Sequence, residues 1–578
     1  MATIQAKKVN GYKYWYIVES RRVNGKPRPI VLEYLGTPET LIKRLKKTDQ
    51  PFKIKSYSHG ALVALLKLAN ELNVVSIINK HIQSRRSYMS PKPTRHGLTA
   101  GITLLLAAIG RVCMPTSKRG WWNWAGTTSC EYMLRVGLSK MDSQHFWDLM
   151  DCLPQEAIPK IESELLRQVM TRYDLDLNTL LLDTTNFYTF IDTENIRCDI
   201  AQRGKNKQKR GDLRQVGMAM VVTREDYIPL FHHTYRGNIN DCTVFPEVIA
   251  AIKKRMKELG IDLQKNTLIF DRGFNSKKNL ATLERLKLHY VGALTPAYHK
   301  DLIKDADSGF EPLEIGGKTL QVYRDKRVIW DSDRTVVVYI SEKLKAGQLR
   351  GLYNSLEKKS KKLADFAASL VNPCGKKRMR TEAEVKIKQI LKGQFMDGLI
   401  DYTLTDLSNE RFKLEHQINQ QKLSELEETL GFRILMTDRH KWETLEIIAA
   451  YHGQSWIEQA FKNLKNPYHL AVTPGFHWTD QKIIVHYCTC VLGYLLAALL
   501  WRQARLQAEY TGTLDNLLDR LNEIRLVTII TADEKKGNAK VTRQLEEMSS
   551  EQTKLANGLD LTDLHKKKMK IEGISVYT

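Results

Sequence analysis

The sequence predicts an α/β protein built on a mixed sheet, and three observations lead there. Short apolar runs closing on an acid, TLLLD at 179–183 and NTLIFD at 266–271, have the length and composition of buried strands. TLLLD is followed by two more strand-like runs, QVGMAMVVT at 215–223 and IPLFHHTYRG at 228–237. Helix and strand then alternate through FPEVIAAIKKRMKEL, NTLIFD and HYVGAL at 289–294. Consecutive strands followed by such alternation make a mixed sheet with helices on its faces. The third observation is an interruption. From about 300 the pattern breaks into short strands (KTLQVY, TVVVYIS, LIDYTLTD) and Lys-rich helices, and FRILMTD at 432–438 resumes the earlier style.

Six regions follow in order. Residues 1–50 alternate as strands in YKYWYIVES and RPIVLEYLG about a turn at VNGK, and residues 1–60 hold thirteen Lys/Arg against four Asp/Glu. This reads as a small basic β-meander. Residues 51–170 change to helical periodicity (ALVALLKLANELNVVSIINKHI, GLTAGITLLLAAIGRV), with eight Lys/Arg and no acid between Lys80 and Gly120, and are expected to form a helical DNA-binding domain. Residues 171–299 and 432–505 hold the two parts of the mixed-sheet core, with 300–431 as a β-rich insertion. Residues 506–578 are polar, end in the basic HKKKMK, and are expected to be helical and available for dimerisation.

Composition narrows the function. The chain has 578 residues with 89 Lys+Arg against 65 Asp+Glu, a formal charge of +24. That surplus points to a polyanionic partner, above all nucleic acid. Eight scattered cysteines exclude a disulfide scaffold and fit a reducing cytoplasm. The N-terminus has no apolar signal segment. The run Ile483–Leu500 approaches spanning length, but its His486, Tyr487, Cys488, Thr489 and Cys490 suit a helix buried in a large domain. Gly316-Gly317-Lys318-Thr319 imitates part of a phosphate loop, yet Pro312 stands where its first glycine belongs, so a hairpin turn and no nucleotide cofactor are expected.

Three carboxylates stand where chemistry forms. Asp183 and Asp271 close strands, and sites in open α/β sheets gather at strand carboxyl ends. Glu458 edges the apolar stripe of a helix expected over 442–465. Seven residues return a helix to within about 20° of its start, so Tyr451, Glu458 and Lys465 would share one face, with Gln454 beside them. Hard oxygen donors on converging elements suit Mg²⁺, with Mn²⁺ as substitute, and two such ions about 4 Å apart suit in-line attack on a phosphodiester. An Asp at a strand end also commonly just caps the next turn.

In these motifs the sequence resembles the DDE-type insertion-sequence transposases. Asp183-Thr-Thr, the basic loop AQRGKNKQKRGDLRQV at 201–216, IPLFHHTYRGNINDCTVF, IFDRGF at 269–274 and WIEQAFKNLK at 456–465 carry the likeness, in order, over roughly 175–300 and 432–500. It is similar especially to the subgroup with a β-rich insertion and a Tyr-Arg-Glu-Lys signature. The resemblance implies an RNase H-like core in which Asp183, Asp271 and Glu458 hold two Mg²⁺ ions. It also implies binding of terminal inverted repeats and target double-stranded DNA, a homodimer that synapses two ends, and a prokaryotic, cytoplasmic, nucleoid-associated setting without membrane. Tyr451 and Lys465 match signature positions that contact DNA near the cut. Gln454 occupies the Arg position and cannot supply a charged fork to phosphate, a charge Lys462 could replace. Arg272, Lys205, Lys207, Lys209 and Arg210 are further phosphate contacts, and Trp330 and Trp442 are candidates to hold a flipped base. Two other readings stay open: a catalytically silent or domesticated DNA-binding protein, and an RNase H-like structure-specific nuclease.

Overall fold

A computed structural model describes the chain apart from residues 1, 10–11, 24–25, 48–51, 83–93, 193, 207–209, 316, 373, 408–410, 533–538, 567–568 and 575–578. The basic meander forms as expected, with β1 (Ala2–Val9), β2 (Tyr12–Val23) and β3 (Lys26–Gly36) pairing antiparallel. Strand β4 (Phe52–Ser58) then leads into helices, among them Gly60–Glu71, Ala100–Cys113 and Ile158–Arg172.

The centre is a nine-stranded mixed sheet. In chain order its strands are β5 (Thr179–Thr189), β6 (Arg214–Thr223), β7 (Pro229–Arg236), β8 (Thr267–Phe270), β9 (His289–Leu294), β10 (Glu311–Ile315), β11 (Lys318–Ile329) and β12 (Ser332–Ile340). The hairpin β13 (Ile400–Leu407) and β14 (Arg411–Ile418) stands apart, and β15 (Phe432–Thr437) completes the sheet. The strand order is β10-β11-β12-β15-β9-β8-β5-β6-β7. Strands β5, β6 and β7 pair antiparallel, while β8 lies parallel to both β5 and β9. This is the RNase H-like arrangement, and it puts the ends of β8 and β9 beside the middle of the longer β5.

Three expectations are corrected here. The insertion is shorter and less β-rich than 300–431. Strands β10 to β12 extend the central sheet through β12 pairing with β15. Val336, Val337 and Val338 are all fully buried, as a strand covered on both faces requires. The segment with its own hydrophobic cluster runs from Leu352 to Leu430, and its 30-residue helix Glu342–Val371 and two shorter ones outweigh the β13–β14 hairpin. Second, 51–170 is not a separate domain: its helices share one hydrophobic core with the central sheet. All fourteen residues of Ala100–Cys113 are buried, packed on the helix Asp480–Gln507. Of the basic residues there, Arg111 and Lys118 are buried, and Arg111 donates to the carbonyls of Ala471, Thr473 and Pro474. Lys80 pairs with Glu164.

Third, residues 506–578 are not simply helical. Strand β16 (Arg525–Ala532) pairs with β17 (Ala539–Leu545) and, across more than 450 residues, with β4. Among the described residues one helix, Asp480–Gln507, is long and apolar enough to cross a membrane, and 89% of its apolar window is buried inside the protein. Residues Ile315 and Lys318 pair across the Gly-rich turn, as a hairpin rather than a phosphate loop.

Candidate active site

Leu180, Leu181 and Leu182 are fully buried, and the strand they drive through the core does not close on Asp183 as expected but carries it as the fifth of eleven residues, running on to Thr189. The Asp183 carboxylate accepts from the Thr184 N–H at 2.7 Å. Asp271 follows the four buried residues of β8, caps the turn Arg272–Phe274 and accepts from the Arg272 N–H at 2.6 Å. Each Asp is therefore held by the amide that follows it. Capping and an active role are compatible, because each carboxylate keeps a second oxygen.

Burial pushes the Asp183 carboxyl up to about 7, and the negative charges of Asp271, Asp241 and Glu458 push the same way against the Thr184 N–H. The three expected carboxylates thus lie within electrostatic range at one end of the sheet. A fourth, Asp241, lies there too and was not singled out from the sequence. It opens the helix Asp241–Glu258, capped by Asn240. Tyr235 donates its hydroxyl to Asp241 Oδ1 at 3.3 Å, and a Cβ on Gly273 would stand 3.6 Å from Asp241 Oδ2. Asp241 therefore bridges the β7 side of the site and the loop after Asp271. Gly217 makes this possible, since a Cβ there would meet the Tyr235 ring at 2.3 Å. The available signal was a carboxylate in a helix first turn, just past a strand that ends on the Asp183 side. An acid in a first turn is so common a complement to the helix dipole that it drew no notice.

Among the described residues no Lys, Arg or His forms an ion pair with any of these four carboxylates, although the chain carries +24. Hard oxygen donors of this kind match a divalent cation of the Mg²⁺ class in chemistry. Among the described residues no three Asp, Glu, His or Cys side chains stand close enough to enclose one ion.

The helix expected over 442–465 is two helices, Thr444–His452 and Gln454–Lys465, broken at Gly453. Tyr451 is buried, while Glu458, Lys462 and Lys465 are exposed, so the expected shared face is not kept. Burial and the nearby Asp271 charge push the Tyr451 hydroxyl above the usual phenol range. The Gln454 side chain lies outside the described residues. Lys465 reaches β5, its ammonium 2.5 Å from Thr185 Oγ1 and 5.3 Å from the Phe187 ring centroid. Asp183, Thr185 and Phe187 share one strand face, so Lys465 sits on the same face as Asp183.

Arg272, Lys205 and Arg210 are exposed; Lys207 and Lys209 lie outside the described residues. The basic loop is moored to β5 by Tyr188 donating to Asn206 at 2.8 Å, and Arg210 pairs with Asp212 at 2.6 Å. The two candidate tryptophans are not brought to the carboxylates. Trp330 sits in the β11–β12 turn and Trp442 follows β15. Thr335 and Thr437 are both in register with the start of β9, so both tryptophans lie beyond the opposite end of the sheet from Asp271. Trp121 and Trp124 are buried, Trp121 donating to the Leu106 carbonyl at 3.1 Å. His232 pairs with buried Glu162, beside Arg255.

A family model described as the transposase DDE domain matches residues 180–491, and one described as the IS1634 family transposase N-terminal domain matches residues 2–53. No curated protein matches the chain. A solved structure, the piggyBac transposase synaptic complex with hairpin DNA, aligns over 80% of this chain and 79% of its own at 10% identity, with a TM-score of 0.38.

Proposed function

This chain belongs to the transposase DDE domain family, whose model spans more than half of it, and on that premise we propose how its residues cut and join DNA. The protein is a DNA transposase of an insertion sequence. Asp183, Asp271 and Glu458 are the catalytic carboxylates, and the protein binds the element's terminal inverted repeats so that the point of cleavage lies at them. Two Mg²⁺ ions, when bound, would supply the positive charge that activates an attacking hydroxyl and stabilises the departing 3′ oxygen. Asp183 and Asp271, each fixed by its own following amide, present their free oxygens toward that charge. Glu458 reaches in from the exposed face of its helix.

Lys465, on the Asp183 face, holds a phosphate beside the cut, with Arg272, Lys462 and the 203–214 loop extending the track along the duplex. Tyr451 is placed to order the Asp271 side rather than to lie on the DNA surface. The freed 3′-OH ends then attack target DNA, with a homodimer synapsing two ends in the cytoplasm, on nucleoid DNA. The Tyr-Arg-Glu-Lys subgroup is the nearest pattern, with Gln454 in place of its Arg.

The observation that carries this reading is a group of carboxylates that, among the described residues, forms no ion pair with Lys, Arg or His, at one sheet end of a strongly basic chain. The test is cleavage of a labelled duplex bearing the repeats that flank the reading frame, in Mg²⁺ and in EDTA, by wild type and Glu458→Gln. Metal-dependent nicking at the repeat boundary, absent from the variant, is expected. Binding without nicking by either protein would move the assignment to a silent DNA-binding descendant.

A further inference from the structure

The insertion leaves and rejoins the central sheet at the carboxylate end. Ile340 pairs with Phe432, and β15 runs antiparallel to β9, so the end of β12 lies on the same side as Asp271. Three strand spacings of about 4.8 Å put β12 roughly 14 Å across the sheet from β8. The helix Glu342–Val371 starts there, capped by Ser341. At about 3.4 Å per base pair, its first turn stands roughly four pairs to the side of a phosphate held at Asp271.

One face of this helix is core and the opposite face is charge. Leu352, Leu356, Leu363, Phe366 and Leu370 are buried, and the helix packs on β14 and on the helix Arg380–Leu391. Steps of seven and eighteen residues return a helix to within about 20° of one line, so Lys343, Arg350 and Lys361 form a row along the far side. All three are exposed, and the row is about 27 Å long at roughly 1.5 Å per residue. Lys358 and Lys362, also exposed, flank it.

Among the described residues none of these five cations forms an ion pair. Elsewhere in the insertion Arg380 pairs with Glu384 and Asp406, and Lys413 with Glu415. The helix carries seven Lys/Arg against three Asp/Glu. Lys358 and Lys362 stand one turn apart, a like-charge arrangement that weakens a helix by itself. Lys359 donates to the carbonyls of Ile390 and Lys392, and burial with the charges of Lys362 and Lys358 holds it below the usual lysine range. A polyanion relieves such a row. Around it stand Ala346, Gly347, Ala364 and Ala368, too short to reach base edges. Point charges among short side chains grip phosphates and carry no sequence information. Such a grip suits host DNA, whose sequence differs at every insertion site, rather than the repeat, whose sequence is constant.

We propose that the Lys343–Arg350–Lys361 row of the insertion helix holds, through its phosphates, the host duplex that flanks the element end before the cut. This rests on the transposase reading above and gives the insertion the donor flank as its partner.

The test measures equilibrium binding of the full-length protein, in EDTA, to three labelled duplexes: the repeat with its native flank, the repeat with a scrambled flank, and the repeat ending at its boundary. Wild type is expected to bind both flanked duplexes about 10-fold more tightly than the bare repeat. Lys343→Gln/Arg350→Gln/Lys361→Gln should lose most of that difference and lower the salt slope on flanked DNA by about two to three, with the bare repeat bound within about twofold of wild type. Lys254→Gln/Lys257→Gln/Lys265→Gln removes the same charge from exposed positions at the opposite end of the sheet and should keep the difference. Equal losses on flanked and bare repeat, equal losses from both variants, or no loss would overturn the proposal. Should the row variant fail to fold by circular dichroism, hydroxyl-radical footprinting of the wild type carries the test, and protection that stops at the repeat boundary overturns it. Wild-type nicking in Mg²⁺ is scored on the flanked duplex. Nicking with row-independent binding refutes the flank surface alone, and row-dependent flank binding without nicking refutes the catalytic assignment alone.

Discussion

The Lys465 ammonium donates to Thr185 Oγ1 at 2.5 Å, two residues along the strand from Asp183 and on its face. The helix that carries Glu458 is thereby pinned to the strand that carries Asp183, and a cation is kept on the face of Asp183. Lys465→Ala is expected to lower cleavage about 10- to 100-fold, the worth of one charge-assisted contact to phosphate, while duplex binding falls only a few-fold. Lys465→Arg should recover part of the rate. Single-turnover cleavage beside equilibrium binding separates the two effects.

Asp183→Asn removes a buried charge that three neighbouring carboxylates oppose. Cleavage should be abolished, yet the protein should be more stable in EDTA at pH 8 by on the order of 1–4 kcal/mol, because the wild type folds against desolvation and like-charge repulsion. Thermal unfolding in EDTA checks this, and an unchanged or lowered midpoint would contradict it.

Asp241 tests whether the fourth carboxylate belongs with the other three. Asp241→Asn should raise the Mg²⁺ concentration for half-maximal cleavage about 10-fold, with Tyr235→Phe a milder step in the same direction. Titration of cation binding by calorimetry on the DNA-free protein gives a second reading of the same ranking. Equal Mg²⁺ requirements in wild type and Asp241→Asn would leave Asp241 a helix-dipole residue.

Glu162 ties the helix Ile158–Arg172 to β7 through His232 and to the helix Asp241–Glu258 through Arg255, the latter at 2.7 Å. Burial works to raise its pKa, but the His232 and Arg255 charges outweigh burial and hold it at about 2. Its stabilising contribution is therefore present above the unfolded value of 4.5 and is lost as pH falls from there toward 2. Glu162→Gln should cost about 3–5 kcal/mol at neutral pH, since it leaves Arg255 buried without its partner. Denaturant unfolding between pH 2 and 6 should show a steeper acid loss in wild type than in the variant.

Asp183 and Asp271 were legible because a short apolar run that stops on an acid marks a buried strand, although only Asp271 stands at the exit and β5 runs on past Asp183 to Thr189. Asp241 was not, because its neighbours Asn240 and Thr243 spell an ordinary helix start. The continuity of the 442–465 helix was misread for a related reason. Gly453 interrupts an otherwise unbroken periodicity, and only packing decides whether a single glycine bends a helix or is absorbed by it. The TVVVYIS run reads as a strand, but it belongs to the central sheet and not to the insertion. Its three consecutive valines were the sign of a strand covered on both faces.

The sequence by itself determined the strands from 179 to 294 and at 432–437, the two carboxylates that follow their apolar runs, how basic the chain is, and that the apolar run at 483–500 is a core helix. Tertiary structure alone decided that β12 joins β15, that β4 pairs with β16, that Asp241 stands with Asp183, and that Trp330 and Trp442 lie at the far end of the sheet. Local periodicity encodes the conformation and burial of a segment, because those depend on neighbours a few residues away. The choice of partner depends on shape and hydrogen-bond register between segments hundreds of residues apart, which composition along the chain does not carry.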